Sequence, residues 1–220
     1  MPNPPRRLCF LPLFAALTAT LAFGAQSGTN GLDTRVQRFL EANRGQWWDM
    51  NVPESDGRTL HELIVKHKFT RALEIGTSTG HSGIWMAWAL SKTGGKLITI
   101  DIDEGRHREA LKNFEAAGVA KYVDARLGDA HTIVPALEGP FDFVFSDADK
   151  DWYKNYLVAL LPKLTVGGCY VTHNVSDGSG RGRGRGRRDD YYEFLLAQPT
   201  LETTVDNRGA GMTISCKTKT

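Results

Sequence analysis

The sequence predicts an α/β fold in which the strands of a parallel sheet alternate with helices. Three stretches support this prediction. Residues 71–90 read as a strand, a glycine-bearing turn and a helix, and apolar strands are expected at Lys96–Asp101 and Phe141–Ser146. A helical pattern follows each strand, which is the alternation expected of parallel strands joined by crossover helices.

The turn after the first strand favours a cofactor loop. Gly76 stands where the strand ends and Gly80 follows within the turn, so the backbone can approach a ligand without a Cβ atom in the way. The helix predicted from Ser82 directs its free N–H groups into the same turn. A purely structural turn can also carry two glycines. The Gly-x-Gly-x-x-Gly fingerprint is absent, which argues against a nicotinamide oxidoreductase.

Length and composition indicate a single α/β domain. The 220 residues include 27 Lys and Arg against 25 Asp and Glu, so the balance of charge gives no reason to expect a nucleic-acid partner. No Cys-x-x-Cys pair is present, which excludes zinc-ribbon and thioredoxin-like folds. Cys169 and Cys216 fall in predicted strands, where we expect two buried thiols, with a cross-strand disulfide as the alternative for an exported protein.

Residues 1–25 have the pattern of a signal peptide or N-terminal anchor, and residues 26–220 form the predicted domain. Two arginines precede an apolar run over residues 8–23, which ends in small residues. We expect an exported protein, periplasmic or secreted, or one anchored to a membrane by this segment. A start site assigned too early would instead leave the protein in the cytoplasm.

Two amphipathic helices are predicted before the first strand, at residues 32–44 and about 56–67. The aromatic-rich segment between them fits a packed lid or a wall over a cofactor. Asp101 ends the second strand, about where α/β nucleotide sites place a carboxylate for ribose hydroxyls. Asp129 and Ala130 follow a further strand. The small side chain of Ala130 leaves room for an adenine ring, and Asp129 is expected to cap the next helix.

Polar side chains follow two predicted strands that should be neighbours. Asp147 and Lys150 come after Phe141–Ser146, and His173 and Asn174 end a later strand. The carboxyl ends of parallel strands meet at one edge of a sheet, so Asp147, His173 and Asn174 predict a divalent-cation site. The alternative is a helix cap at Asp147 and turn-forming roles for the other two.

Together these motifs resemble the cation-dependent O-methyltransferases, the S-adenosylmethionine-dependent group that contains catechol and caffeoyl-CoA O-methyltransferase. The resemblance implies a doubly wound, Rossmann-like, seven-stranded sheet, mostly parallel with one antiparallel strand, with helices on both faces. It also implies methyl transfer to a hydroxyl of a small, catechol-like acceptor, and a homodimer. The matching motifs are Trp48-Asp-Met-Asn-Val52, Leu73-Glu-Ile-Gly76 with Gly80 and Ser82, Ile100-Asp101, Phe145-Ser-Asp147-Ala-Asp-Lys150 and His173-Asn-Val175.

The resemblance also assigns roles to single residues. Lys150 is the expected general base, and Asp147, His173 and Asn174 are the expected metal ligands. The family usually has Asp-Asn where this chain has His173-Asn174, so magnesium, manganese and softer transition metals are all candidates, and loss of the metal is an alternative. The residues expected to line the S-adenosylmethionine site are Val52, Glu74, Gly76, Thr77, Ser82, Asp101, Ala130 and Asp149.

Residues 176–188 form a low-complexity insert in which Gly and Arg alternate. This composition cannot bury a core and predicts a flexible loop. Without interleaved aromatic residues it does not favour nucleic-acid binding, and our hypothesis is an entrance loop that attracts an acidic acceptor. The alternative to an enzyme is a non-catalytic or metal-independent S-adenosylmethionine-binding protein of the same fold.

Overall fold

The computed structural model describes Met1 and residues 24–47, 50–175 and 187–220. Most of the expected leader and of the Gly/Arg insert lies outside these ranges, as do Trp48 and Asp49 of the expected lid. In the described part of the chain, no helix has the length and apolar character needed to cross a membrane.

Seven strands and seven α-helices alternate along most of the described chain. Short 3₁₀ turns at Ala120–Tyr122, Lys150–Trp152 and Leu161–Lys163 complete the connections. The strands are β1 Arg71–Ile75, β2 Lys96–Asp101, β3 Val123–Leu127, β4 Phe141–Ser146, β5 Leu164–His173, β6 Leu201–Asp206 and β7 Met212–Lys217. The helices are α1 Gly24–Ala42, α2 Glu54–His67, α3 His81–Thr93, α4 Glu104–Ala117, α5 Ala130–Ala136, α6 Tyr153–Leu160 and α7 Arg187–Leu196.

The strands form one sheet in the order β3-β2-β1-β4-β5-β7-β6. Strands β1 to β5 pair in parallel, and β7 runs antiparallel to both β5 and β6. This confirms the expected mostly parallel sheet with one antiparallel strand. The winding reverses between β1 and β4, and a ligand crevice is expected outside the carboxyl ends of the strands at such a switch point.

Helices cover both faces of the sheet because alternate side chains of each strand point in opposite directions. On one face, Met86 of α3 packs in a cluster with Phe143 of β4. On the other face, Leu157 of α6 and Tyr191 of α7 pack in a cluster with Tyr170 of β5. The two apolar layers hold the carboxyl ends of the strands in a rigid frame.

Two helix boundaries differ from the sequence prediction. Helix α1 begins at Gly24 instead of residue 32, because the apolar periodicity that revealed it starts only at Leu32. The sequence after Lys150 also predicts a helix from about Trp152 to Leu164, but α6 ends at Leu160 and a 3₁₀ turn containing Pro162 follows. Proline has no N–H for the next helical hydrogen bond, so β5 can begin directly after this turn.

The expectation of two buried thiols is wrong, because Cys169 and Cys216 form a disulfide. The two residues face each other on the antiparallel strands β5 and β7, with their Cα atoms 4.0 Å apart. Both strands were predicted, but the two cysteines are 47 positions apart in the sequence, and the mutual register of the strands could not be read from either strand alone.

Candidate active site

A cavity of about 450 Å³ lies at the carboxyl ends of the central strands. Four of the predicted cofactor residues line it: Gly76 after β1, Asp101 at the end of β2, Ala130 at the start of α5, and Asp149 after β4. Asp147 and Lys150 line the same cavity. The structure therefore brings the expected cofactor edge and the expected catalytic lysine into one space.

The turn between β1 and α3 uses its two glycines differently. Gly76 has a φ of +98°, and a Cβ atom there would lie 2.8 Å from the Cβ of Ala148. Gly80 has a φ of +96°, and a Cβ atom there would lie 2.9 Å from Cε1 of Phe114 in α4. Gly76, which lines the cavity, thus allows the segment after β4 to approach the turn closely, whereas Gly80 allows α3 and α4 to pack closely.

Glu74 lies beneath this turn and is fully buried. Its Oε1 accepts a hydrogen bond of 2.5 Å from the Ser82 hydroxyl, and its Oε2 accepts one of 2.6 Å from the Thr99 hydroxyl. Burial raises the pKa of the Glu74 carboxyl to about 8, although the two hydrogen bonds act in the opposite direction. Glu74 joins β1, β2 and α3 and does not line the cavity.

Three other predicted cofactor residues also support the turn from behind. Thr77 hydrogen-bonds through its hydroxyl to Thr99 over 2.5 Å, and the Ser82 hydroxyl is engaged by Glu74. Val52 is buried, and its carbonyl oxygen lies 2.9 Å from Nδ1 of His81. These residues were expected to line the cofactor site, but they do not line the cavity, and their contacts hold the loop in shape.

Asp101 presents a carboxylate whose orientation is fixed by the backbone. Its Oδ2 accepts a hydrogen bond of 2.7 Å from the N–H of Ser78, and its Oδ1 accepts one of 2.9 Å from the N–H of Asp103. Each carboxylate oxygen can accept a further hydrogen bond. The position fits the ribose-binding role expected from the sequence.

His131 and Trp152 were not predicted to belong to the site. Asp129 caps α5 as expected, because its Oδ1 accepts a hydrogen bond of 2.8 Å from the N–H of His131. The His131 ring then stacks on Trp152 with 3.8 Å between ring centroids, and its Nε2 lies 2.7 Å from Oδ2 of Asp149. The position of His131 directly after Ala130 was the available signal.

Lys150 connects the expected metal ligands. Its Nζ donates a hydrogen bond of 2.6 Å to Oδ1 of Asn174 and lies 3.4 Å from Oδ1 of Asp147. It also lies 3.3 Å from the hydroxyl of Tyr153. The amino group therefore bridges the oxygen atoms of Asp147 and Asn174 at the edge of the cavity.

His173 is buried behind Asp147, between two carboxylates. Its Nε2 lies 2.8 Å from Oδ2 of Asp56, and its Nδ1 lies 3.0 Å from Oδ1 of Asp147. The second contact is an ion pair without the alignment of a hydrogen bond. Burial alone would lower the pKa of His173, but the two carboxylates outweigh it and raise that pKa to about 9.

A divalent cation does not fit this arrangement. The place between the oxygen atoms of Asp147 and Asn174 is taken by Nζ of Lys150, and both nitrogens of His173 face carboxylates. Within the ranges that the structure describes, no three His, Cys, Asp or Glu side chains form a group able to hold a metal ion. The expected ligand roles of Asp147, His173 and Asn174 therefore have no support in their geometry.

The expected cofactor, in contrast, fits the cavity. Gly76 lines the cavity without a side chain, and the carboxylate of Asp101 is oriented for hydroxyl groups. Four carboxylates line the cavity together with Arg106 and Lys150, which suits a ligand carrying positive charge such as a sulfonium. The four are Asp101, Asp129, Asp147 and Asp149.

Known proteins similar to this chain are O-methyltransferases. A family model described as O-methyltransferase matches residues 34–180. A catechol O-methyltransferase of Niastella koreensis is 38% identical over 130 residues, which are 57% of this chain and 58% of that protein. Caffeoyl-CoA O-methyltransferase 1 of Eucalyptus globulus is 36% identical over 127 residues, 56% of this chain and 51% of that protein.

A solved structure is similar over a longer range. The O-methyltransferase TomG of Streptomyces achromogenes, crystallised in complex with S-adenosylmethionine, shares 30% identity with a TM-score of 0.67, covering 84% of this chain and 90% of TomG. The chain thus matches only a little over half the length of the two curated relatives, but most of the length of this structure.

Proposed function

Because the chain belongs to the O-methyltransferase family, we propose that it transfers a methyl group from S-adenosylmethionine to a hydroxyl of a small, catechol-like aromatic acceptor. The observation that carries the proposal is the position of Lys150, whose Nζ lies at the edge of the cofactor cavity between Asp147 and Asn174. An acceptor hydroxyl placed there meets a basic group at the point where the cofactor's methyl group would be presented.

When bound, S-adenosylmethionine supplies a methyl group on a positively charged sulfur, which keeps the electron pair of the broken S–C bond as the O–C bond forms. Asp101 binds hydroxyl groups of the cofactor, and Gly76 adds no side chain to the part of the cavity that it lines. The chain's main contribution is to align acceptor and cofactor, and such positioning can be worth about 7 kcal/mol or more.

Lys150 takes the proton of the acceptor hydroxyl as general base. As a neutral amine it can accept this proton, and the resulting ammonium group is stabilised by the oxygen atoms of Asn174 and Asp147. Proton transfer to a positioned side chain typically contributes a factor of about 10² to 10⁴ in rate.

The acceptor class is taken from the relatives, which are named for catechol and caffeoyl-CoA.

We further propose that the protein works in an oxidising compartment, which the Cys169–Cys216 disulfide supports. The competing proposal is a protein that binds S-adenosylmethionine without catalysis.

The test is methyl transfer from S-adenosylmethionine to a panel of catechols and caffeoyl-CoA, measured by the formation of S-adenosylhomocysteine. Lys150→Met should lower kcat by about 100-fold while the affinity for S-adenosylhomocysteine stays unchanged. Lys154→Met, on the exposed side of α6, is the matched control and should retain activity. Cofactor binding without methyl transfer to any acceptor would favour the non-catalytic alternative.

A further inference from the structure

A buried bridge of three side chains stands behind the cavity. Asp56, at the start of α2, is 1% exposed, and His173, at the end of β5, is 4% exposed. The ring nitrogens of His173 lie 2.8 Å from Asp56 and 3.0 Å from Asp147. The imidazole therefore connects a carboxylate on α2 to the carboxylate that lines the cavity.

The surroundings of Asp56 fix its carboxylate for this contact. Its Oδ2 also accepts a hydrogen bond of 3.0 Å from the N–H of Ala210, in the turn between β6 and β7. A Cβ atom at Gly209 would overlap the same carboxylate, so the turn must carry glycine there. Strand β5, helix α2 and the β6–β7 turn thus meet around one buried acid.

The groups that could coordinate a cation are engaged by nitrogen atoms. Lys150 Nζ binds Asn174 Oδ1 and lies beside Asp147 Oδ1, and His173 contacts the same oxygen of Asp147 from the buried side. One Asp147 oxygen is thereby held between a lysine and a histidine. The nitrogen atoms of Lys150 and His173 thus lie beside Asp147, where a metal site would hold the cation.

We infer that methyl transfer by this chain proceeds without a divalent cation, and that the Asp56–His173–Asp147 bridge together with Lys150 takes the place of one. The inference rests on the proposed function. His173 is a positioning residue, because it holds Asp147, and Asp147 in turn helps to hold Lys150 at the cavity. Asp56 positions His173 in the same way.

The test compares the wild-type chain with His173→Asp, a variant that puts a carboxylate next to Asn174. Each protein is stripped with chelator and titrated with MnCl₂, and bound Mn²⁺ is counted by electron paramagnetic resonance. We expect no stoichiometric Mn²⁺ in the wild type and one ion per chain in His173→Asp, whose Tm should rise with the ion. His67→Asp, which adds a carboxylate at an exposed position of α2, is the matched control and should bind none.

Activity gives a second readout once an acceptor is known. Chelator should change the rate of the wild type less than twofold and lower that of His173→Asp by about tenfold or more, at least the loss seen when a group that supports a metal ligand is mutated. Tight, stoichiometric Mn²⁺ binding by the wild type, with activity lost to chelator, would overturn the inference. So would a His173→Asp variant that folds and binds no ion.

If His173→Asp does not fold, Asp56→Asn/His173→Asp removes the repulsion between the two buried carboxylates and is measured in its place. Mn²⁺ binding and Tm are read without turnover, so failure of this inference can be told from failure of the proposed methyl transfer.

Discussion

The Ser82 hydroxyl donates a hydrogen bond of 2.5 Å to Oε1 of Glu74, joining the first turn of α3 to β1 beneath the cofactor loop. Strand alternation explains the contact, because Glu74 and Ala72 point to the face of the sheet on which α3 packs, while Leu73 and Ile75 point to the other. A buried carboxyl is tolerated there because two hydroxyl groups satisfy its oxygen atoms.

Glu74→Gln should change how stability depends on pH. The pKa of Glu74 is raised from 4.5 to about 8, so the folded protein holds a proton that the unfolded chain has lost. The free energy of unfolding therefore falls as pH rises from 4.5 towards 8, by up to about 1.4 kcal/mol per pH unit. Glu74→Gln has no titrating group at this position, so it should not show this fall.

The effect is measured as the difference in thermal stability between the wild type and Glu74→Gln at several pH values from 5 to 6.5. The difference is needed because His61, whose pKa is lowered to about 4, changes stability in the opposite direction over this range. Glu202→Gln, at an exposed position of β6, should behave as the wild type. Parallel pH profiles for wild type and Glu74→Gln would contradict the buried, protonated carboxyl.

Gly76→Ala should weaken cofactor binding. The substitution forces a side chain into a φ of +98° and puts its Cβ atom 2.8 Å from that of Ala148. We expect the Kd for S-adenosylhomocysteine to rise by about tenfold or more, equal to about 1.4 kcal/mol, in calorimetric titrations. Gly94→Ala, at a φ of +79° with open space around it, carries the same backbone strain away from the cavity and should leave the Kd unchanged.

Removal of the disulfide should destabilise the protein. Cys169 and Cys216 are separated by 47 positions, and closing a loop of that length is expected to contribute about 2 to 4 kcal/mol. Urea unfolding of Cys169→Ala/Cys216→Ala should show this loss, and a reductant should destabilise the wild type but not the variant. The full chain also contains Cys9, so three free thiols instead of one in the unfolded, unreduced wild type would disprove the bridge.

Substitution of the arginines in residues 176–188 should change the KM only for acidic acceptors. This prediction comes from the sequence alone, since residues 181–186 lie outside the described ranges. Replacing Arg181, Arg183, Arg185 and Arg187 with Ser should raise the KM for caffeoyl-CoA, whose phosphates are negatively charged, and leave that for a neutral catechol unchanged. The effect should shrink with added salt because screening weakens attraction between exposed charges. Equal KM values for both proteins would rule out the entrance-loop hypothesis.

The sequence by itself determined the elements and the edge at which the site lies. Apolar runs and helical periodicity are local, so strands such as β1 and β4 and the glycine turn at Gly76 could be placed directly. The resemblance added the seven-stranded, mostly parallel sheet with one antiparallel strand, and the positions of Asp101 and Lys150 after predicted strands placed both at one edge of that sheet.

Only the tertiary structure decided which side chains meet. His173 contacts Asp56 across 117 positions, Cys169 pairs with Cys216, and Lys150 reaches Asn174. Such contacts depend on strand register, helix packing and side-chain direction, which no local pattern records. The sequence therefore indicated a metal site from the residue types at two strand ends, whereas the fold placed a lysine and a buried histidine bridge there.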